Sequence, residues 1–190
     1  MVDQVALGRE FFEMLEAHDE AITGRVAAGG CPVCDGPLYR GDYDRKPRGG
    51  LIARTGEEFV RRFSLCCGRE GCRKRATPPS LRFLGPKVYL ATIVVLVSIM
   101  RHGASPKRVQ RMNEAVGVDR RTVERWRRWW RDKFTATPFW QIARAAFMPP
   151  VEHDRLPASL LDRFGDDSAD AVVALLRFLA PITGGRSHAR

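Results

Sequence analysis

Outside residues 31–72 this chain has no cysteine, and nowhere does it have an apolar run long enough to cross a bilayer. The longest such run, Val88–Met100, stops at thirteen residues. A spanning helix needs about 20, so a buried helix is expected there instead. The start, Met1-Val2-Asp3, has no basic cluster, and the apolar positions after it are interrupted by Arg9, Glu10 and Glu13, which argues against a signal peptide. Phosphate-cradling glycine loops, a Gly-x-Ser-x-Gly elbow and a His-Glu-x-x-His pair are all missing. The expected setting is therefore the reducing cytoplasm, with no membrane partner. Clustered cysteines there point to a metal rather than to disulfides.

Lysine is also scarce, supplying five of the 32 basic residues. Arginine supplies the rest, and its planar fork of donors suits guanine edges and phosphates better than a point charge does. Against 22 acids the net charge is +10, which favours an anionic partner, nucleic acid first. The charge is uneven. Residues 1–30 sum to −4, residues 36–75 to +6 and residues 101–134 to +7, while the tail from 151 is close to neutral. The binding surface is expected on the two central segments. At 190 residues and 44% hydrophobic, the chain can form one ordinary domain or two small ones.

Within the acidic start, Val5, Leu7, Phe11, Phe12, Leu15 and Ile22 recur at helical spacing and predict an amphipathic helix over 1–28. The cysteines follow. Cys31-Pro32-Val33-Cys34-Asp35-Gly36 has the form of a zinc knuckle, in which two thiolates grip one ion from a tight turn and the glycine lets the backbone fold back. The second group is Cys66-Cys67-Gly68-Arg69-Glu70-Gly71-Cys72. A strand is expected over Phe59–Leu65, and its alternation places Cys67 on the face of Phe63 and Leu65. The expected ligands are therefore Cys31, Cys34, Cys67 and Cys72, with Cys66 the alternative to Cys67. Four protein thiolates close the coordination sphere, so the Zn2+ would be structural. None of the four histidines lies at ligand spacing, and each is expected at the surface. Between the knuckles, Leu38–Gly50 alternates basic and aromatic residues, a composition suited to phosphate contacts and base stacking or to a solvated hairpin.

Beyond the linker Thr77–Ser80, Pro106–Val116 reads as a helix stopped by Gly117, and Asp119 as the cap of a helix that carries Arg120–Asp132. Two helices joined by a glycine-bearing turn form a helix-turn-helix pattern, whose second helix enters the major groove. Val123, Trp126 and Trp130 form its inward stripe, leaving Arg121, Glu124, Arg125 and Arg128 outward. Arg120, Arg121 and Arg125, nearest the helix start, are the candidates for base edges. Lys107, Arg108 and Arg111 on the preceding helix are better placed for phosphates.

A Cys-Pro-x-Cys ribbon followed by Gly-Val-Asp-Arg-Arg-Thr-Val-Glu-Arg-Trp (117–126) resembles the DNA-binding front end of bacterial insertion-sequence transposases and of their small accessory proteins. The resemblance covers roughly residues 28–134. It implies a ribbon and a helix-turn-helix that recognise transposon-end DNA, with the metal on Cys31, Cys34, Cys67 and Cys72 and the DNA on Arg120, Arg121 and Arg125. Such a transposase also needs a catalytic sheet bearing three acids. Residues 136–190 instead read as short helices, Pro138–Phe147, Pro157–Phe164 and Ser168–Leu179, with Asp166, Asp167 and Asp170 as helix N-terminal charges.

The expectation is thus a mainly α protein, a helix-turn-helix helical domain with an inserted small β zinc ribbon. Its segments are an acidic helix (1–28), the ribbon (29–78), the helix-turn-helix (79–135) and a C-terminal helical part (136–190). It would bind double-stranded DNA sequence-specifically, without catalysis, as an accessory or regulatory factor of a mobile element. A larger transposase, another protein or a second copy are the further partners considered. An ordinary transcription regulator, an RNA-binding protein and a protein–protein adaptor are the alternatives. The stripe Val172, Leu175, Leu176 and Leu179 either closes the core against the N-terminal helix or forms a dimer face.

Overall fold

A computed structural model of the chain describes residues 9–45, 57–85, 88–89, 110, 114, 120–165 and 169–184. It is mostly helical with a small β part. Helix α1, Arg9–Ala28, follows the predicted stripe: Phe11, Phe12 and Leu15 are buried, and the stripe continues into the polar Asp19 and Thr23. Val5 and Leu7, expected on the same helix, lie outside the described residues. Gly30 stops α1 in the left-handed region at φ +74°, with its N–H on the Ala27 carbonyl, and delivers the chain to Cys31.

The β part is built from very short strands. Strands β1 (Leu38–Arg40), β4 (Leu65–Cys67) and β5 (Arg75–Ala76) form an antiparallel sheet in the order β1-β4-β5. A second pair joins β2 (Tyr43–Asp44) to β3 (Arg61–Arg62), and a third joins β6 (Phe83–Gly85) to β7 (Val88–Tyr89). Two expectations are corrected here. Phe59–Leu65 is not one strand: residues 57–60 make a 3-10 turn, and the backbone leaves the ladder at Phe63 and Ser64 between β3 and β4. At the break the fully buried Arg62 guanidinium donates to the carbonyls of Pro78 and Phe63. The apolar run from Val88 opens as strand β7, not as a helix, and residues 90–100 lie outside the described residues.

Helix α2, Arg120–Arg128, continues as a π turn over Trp129–Phe134. Adding a residue to the turn lets neighbouring side chains share one face. Trp129 and Trp130 therefore both reach the core, with ring centroids 5.1 Å apart and Phe134 4.6 Å from Trp130. Helices α3 (Pro138–Ala143), α4 (Ala158–Leu161) and α5 (Ala169–Leu179) follow. Thr137 caps α3 by accepting the Trp140 N–H. Helix α4 is shorter than the expected Pro157–Phe164.

One cluster of buried side chains joins these pieces: Phe12 and Leu15 of α1, Phe59, Leu81 and Phe83, Trp130, Phe134 and Trp140, and Leu175, Leu176 and Leu179 of α5. Val172, Leu175, Leu176 and Leu179 are thus used inside the chain. Beside this cluster runs a polar network that the periodicity did not reveal. Asp19, fully buried, accepts from Ser80 Oγ (2.6 Å), the Leu81 N–H (2.6 Å) and Arg82 Nε (2.9 Å). Arg82 is equally buried and also donates to Glu16 and to the carbonyls of Phe59 and Arg61. Ser80 is tied further to Thr183, whose hydroxyl accepts its N–H at 2.6 Å. Such a network is tolerable in a core only because each charge is paired and hydrogen-bonded.

Candidate metal centre and arginine face

Four cysteines meet between the end of α1 and the β1-β4-β5 sheet. Each of Cys31, Cys34, Cys67 and Cys72 offers a sulfur, and all four sulfurs lie within 4.8 Å of one another. Cys31 and Cys72 are 3.8 Å apart and Cys34 and Cys67 3.5 Å, too far for S–S bonds. An ion holding four thiolates tetrahedrally at about 2.3 Å needs sulfur–sulfur edges of about 3.8 Å. The donor set and its spacing fit a metal ion. Cys66 is elsewhere: its sulfur turns to the Arg73 carbonyl at 3.6 Å, as alternation along β4 requires. The sequence expectation of Cys67 over Cys66 agrees with this placement.

The backbone explains the unusual spacing of the second pair. In the first turn Cys34 N–H and Asp35 N–H both reach the Cys31 carbonyl, and Asp35 sits at φ 54°. In the second, Cys72 N–H and Arg73 N–H both reach the Arg69 carbonyl, and Arg73 sits at φ 46°. The two turns are the same, but in the second the turn's first position is Arg69, and the cysteine is moved two residues back to the end of β4. The Arg69 N–H donates to the Cys67 sulfur at 3.4 Å. Gly36 has a role other than the expected fold-back, which Asp35 supplies. A Cβ on Gly36 would stand 3.2 Å from the Cys67 sulfur and 3.3 Å from that of Cys34, so glycine leaves the sulfurs room.

The thiols are electrostatically unequal. Cys31 is drawn down to about 7, chiefly because the Val33 N–H donates to its sulfur, with help from the Cys34 N–H and from the thiols of Cys34 and Cys72. On Cys67 the Arg69 N–H pulls downward, but burial and the thiols of Cys34, Cys72 and Cys31 outweigh it and push the group up to about 12. Cys72 is also raised: the Lys74 N–H opposes the shift, while contact with Cys34 and burial produce it. A bound cation would reverse this by holding all four as thiolates.

The expected second site divides. Lys107, Arg108 and Arg111 lie outside the described residues; of the helix expected to carry them only Gln110 and Glu114 are described, both helical, with Gln110 Nε2 donating to Glu114 at 3.1 Å. On α2, Arg120, Arg121, Arg125 and Arg128 are all exposed, opposite the buried Trp130. Arg120 is engaged with Glu124 at 2.9 Å, and Arg125 donates to the Thr122 hydroxyl at 3.3 Å. Among the described residues no carboxylate pairs with Arg121, Arg125 or Arg128. Trp126 is half-buried against the core, as expected, whereas Trp129 joins it unannounced through the π turn.

In the described part of the basic and aromatic segment between the knuckles, residues 38–45, most of these side chains are engaged within the chain. Tyr43 has the Arg45 and Arg75 guanidinium groups at 5.0 and 5.5 Å from its ring, and Arg40 bridges to Glu20 and Asp42. Tyr39 differs: it is 62% exposed and lies across Gly68, where a Cβ would meet the ring at 2.2 Å. Of the histidines, His153 is exposed but accepts the Trp140 indole N–H, and His18 is only half-exposed beside Arg177. His102 and His188 lie outside the described residues. Among the described residues no helix is long and apolar enough to cross a membrane. Comparison of the chain with protein families, with curated proteins and with solved structures finds no match.

Proposed function

We propose that the chain is a zinc-stabilised, non-catalytic protein that binds duplex DNA sequence-specifically through α2. The observation that carries this reading is the arginine face of α2, with Arg121, Arg125 and Arg128 exposed on a helix whose other side is anchored by Trp130 and Phe134. A rigid helix presenting several arginines is the form of a major-groove reader. The ion is Zn2+: four soft thiolates at tetrahedral spacing suit it, and a site closed by four protein ligands leaves no position for a reacting water. Arg120, held by Glu124, contributes less than its neighbours. The role as an accessory or regulatory factor of a mobile element follows from the resemblance to insertion-sequence proteins. Under that role Lys107, Arg108 and Arg111 reach phosphates.

The test is selection from a random duplex pool by the metal-loaded protein. A defined motif is expected, and motif occurrence at element ends rather than at promoters separates a transposition factor from an ordinary regulator. Arg121→Ala and Arg125→Ala should each weaken the selected site by about 1–3 kcal/mol. Their thermal melts should be unchanged. Unaltered affinity in both would remove α2 from the interface. A second reading has its own support in Tyr39, an exposed ring suited to stacking on an unpaired base. Competition between the duplex motif and single-stranded RNA decides between them.

A further inference from the structure

A second cationic feature is built by α1 and α5 and includes neither a cysteine nor a residue of α2. A cleft of about 410 Å³ opens between α1 and α5, lined by His18, Ala21, Ile22 and Arg25 on one side and by Leu81 and Arg177 on the other. Among the described residues no carboxylate pairs with Arg25 or Arg177. Asp19, next to His18, is fully buried and taken up by Ser80, Leu81 and Arg82. Arg177 Nη2 sits 2.9 Å from His18 Nε2, so a guanidinium rests against an imidazole where a carboxylate would be the ordinary partner. The cleft is apolar as well as basic, with Ile22 half-buried and Leu81 fully buried. Gly24 is a separate observation. It lies inside α1 beside Arg25, and a Cβ there would meet nothing within 4 Å. A glycine in a helix interior costs about 1 kcal/mol relative to alanine, and among the described residues no neighbour requires this one. It keeps the flank of α1 bare, next to Ala21, where a second backbone can approach.

We propose that this cleft docks an acidic segment of a partner protein, carboxylates on Arg25 and Arg177 and an apolar neighbour over Ala21 and Ile22. Planar guanidinium groups match carboxylates in two-point geometry. A DNA backbone would satisfy the arginines but has no apolar group to cover the half-buried Ile22, which favours a polypeptide. The proposal goes beyond the DNA-binding reading and does not rest on it.

The experiment titrates the full, metal-loaded chain with a terminally blocked peptide of Glu-Glu-Leu-Leu blocks and follows the His18 ring by NMR, assigned through His18→Asn. The expected result is a saturable shift of that ring, absent with the Gln-Gln-Leu-Leu analogue. Arg25→Gln and Arg177→Gln should each weaken binding about tenfold. Both side chains are exposed, so the thermal melt should be kept. No shift, or an equal shift with the neutral analogue, overturns the proposal. A short random duplex that moves the His18 ring and displaces the peptide also overturns it, and makes the cleft a phosphate contact instead.

Discussion

Two adjacent cysteines with opposite fates show how much one residue of register decides. Along β4 Cys67 turns inward to the sulfur cluster and Cys66 turns to the Arg73 carbonyl. Cys66→Ser should therefore retain one metal per chain, while Cys67→Ser should lose it, as read by metal analysis after dialysis. The reverse pattern would mean that β4 is shifted by one residue. This choice was legible in the sequence because strand alternation has period two and carries no further information from the fold. The reason for the long second knuckle was not legible. It lies in Arg69 holding the place that Cys31 holds in the first turn, an equivalence visible only in the carbonyl each turn shares.

Among the elements, α1 and α5 were readable from apolar spacing, because a stripe at 3.6-residue period announces both the helix and its buried side. The strands were less so. At two or three residues each they are too short to show a periodicity. Asp19 could have been noticed, since an acid four residues after Leu15 interrupts the buried stripe, but its partner Arg82 lies sixty-three residues on. Removing that partner strands a buried carboxylate. Arg82→Ala should cost about 3–5 kcal/mol in urea denaturation of the metal-loaded chain. The pair Asp19→Leu with Arg82→Met should recover much of that loss. If the double variant is as weak as the single, the network's other bonds, to Ser80 and Leu81, matter more than the ion pair.

At the scale of the whole molecule, metal, protons and fold are linked. In the metal-free chain Cys67 is held up to about 12 and Cys72 is raised, so at neutral pH both carry protons that an incoming cation must displace. Protons compete with the metal. Affinity therefore rises with pH, by about tenfold per unit for each proton expelled, and falls as the solution is acidified. Indicator competition at pH 6, 7 and 8 measures the slope, and a flat response would mean that the thiolates are not the ligands. The metal cluster and the polar network also differ in when they can form. All four sulfurs are present once Cys72 has left the ribosome, whereas Ser80 finds its last partner only when Thr183, about 110 residues later, has emerged. At typical synthesis rates that is a delay of roughly ten seconds. If these sulfurs hold an ion, the growing chain could load it long before its core closes, and the cysteine loop would then wait, already anchored, for the tail that completes it.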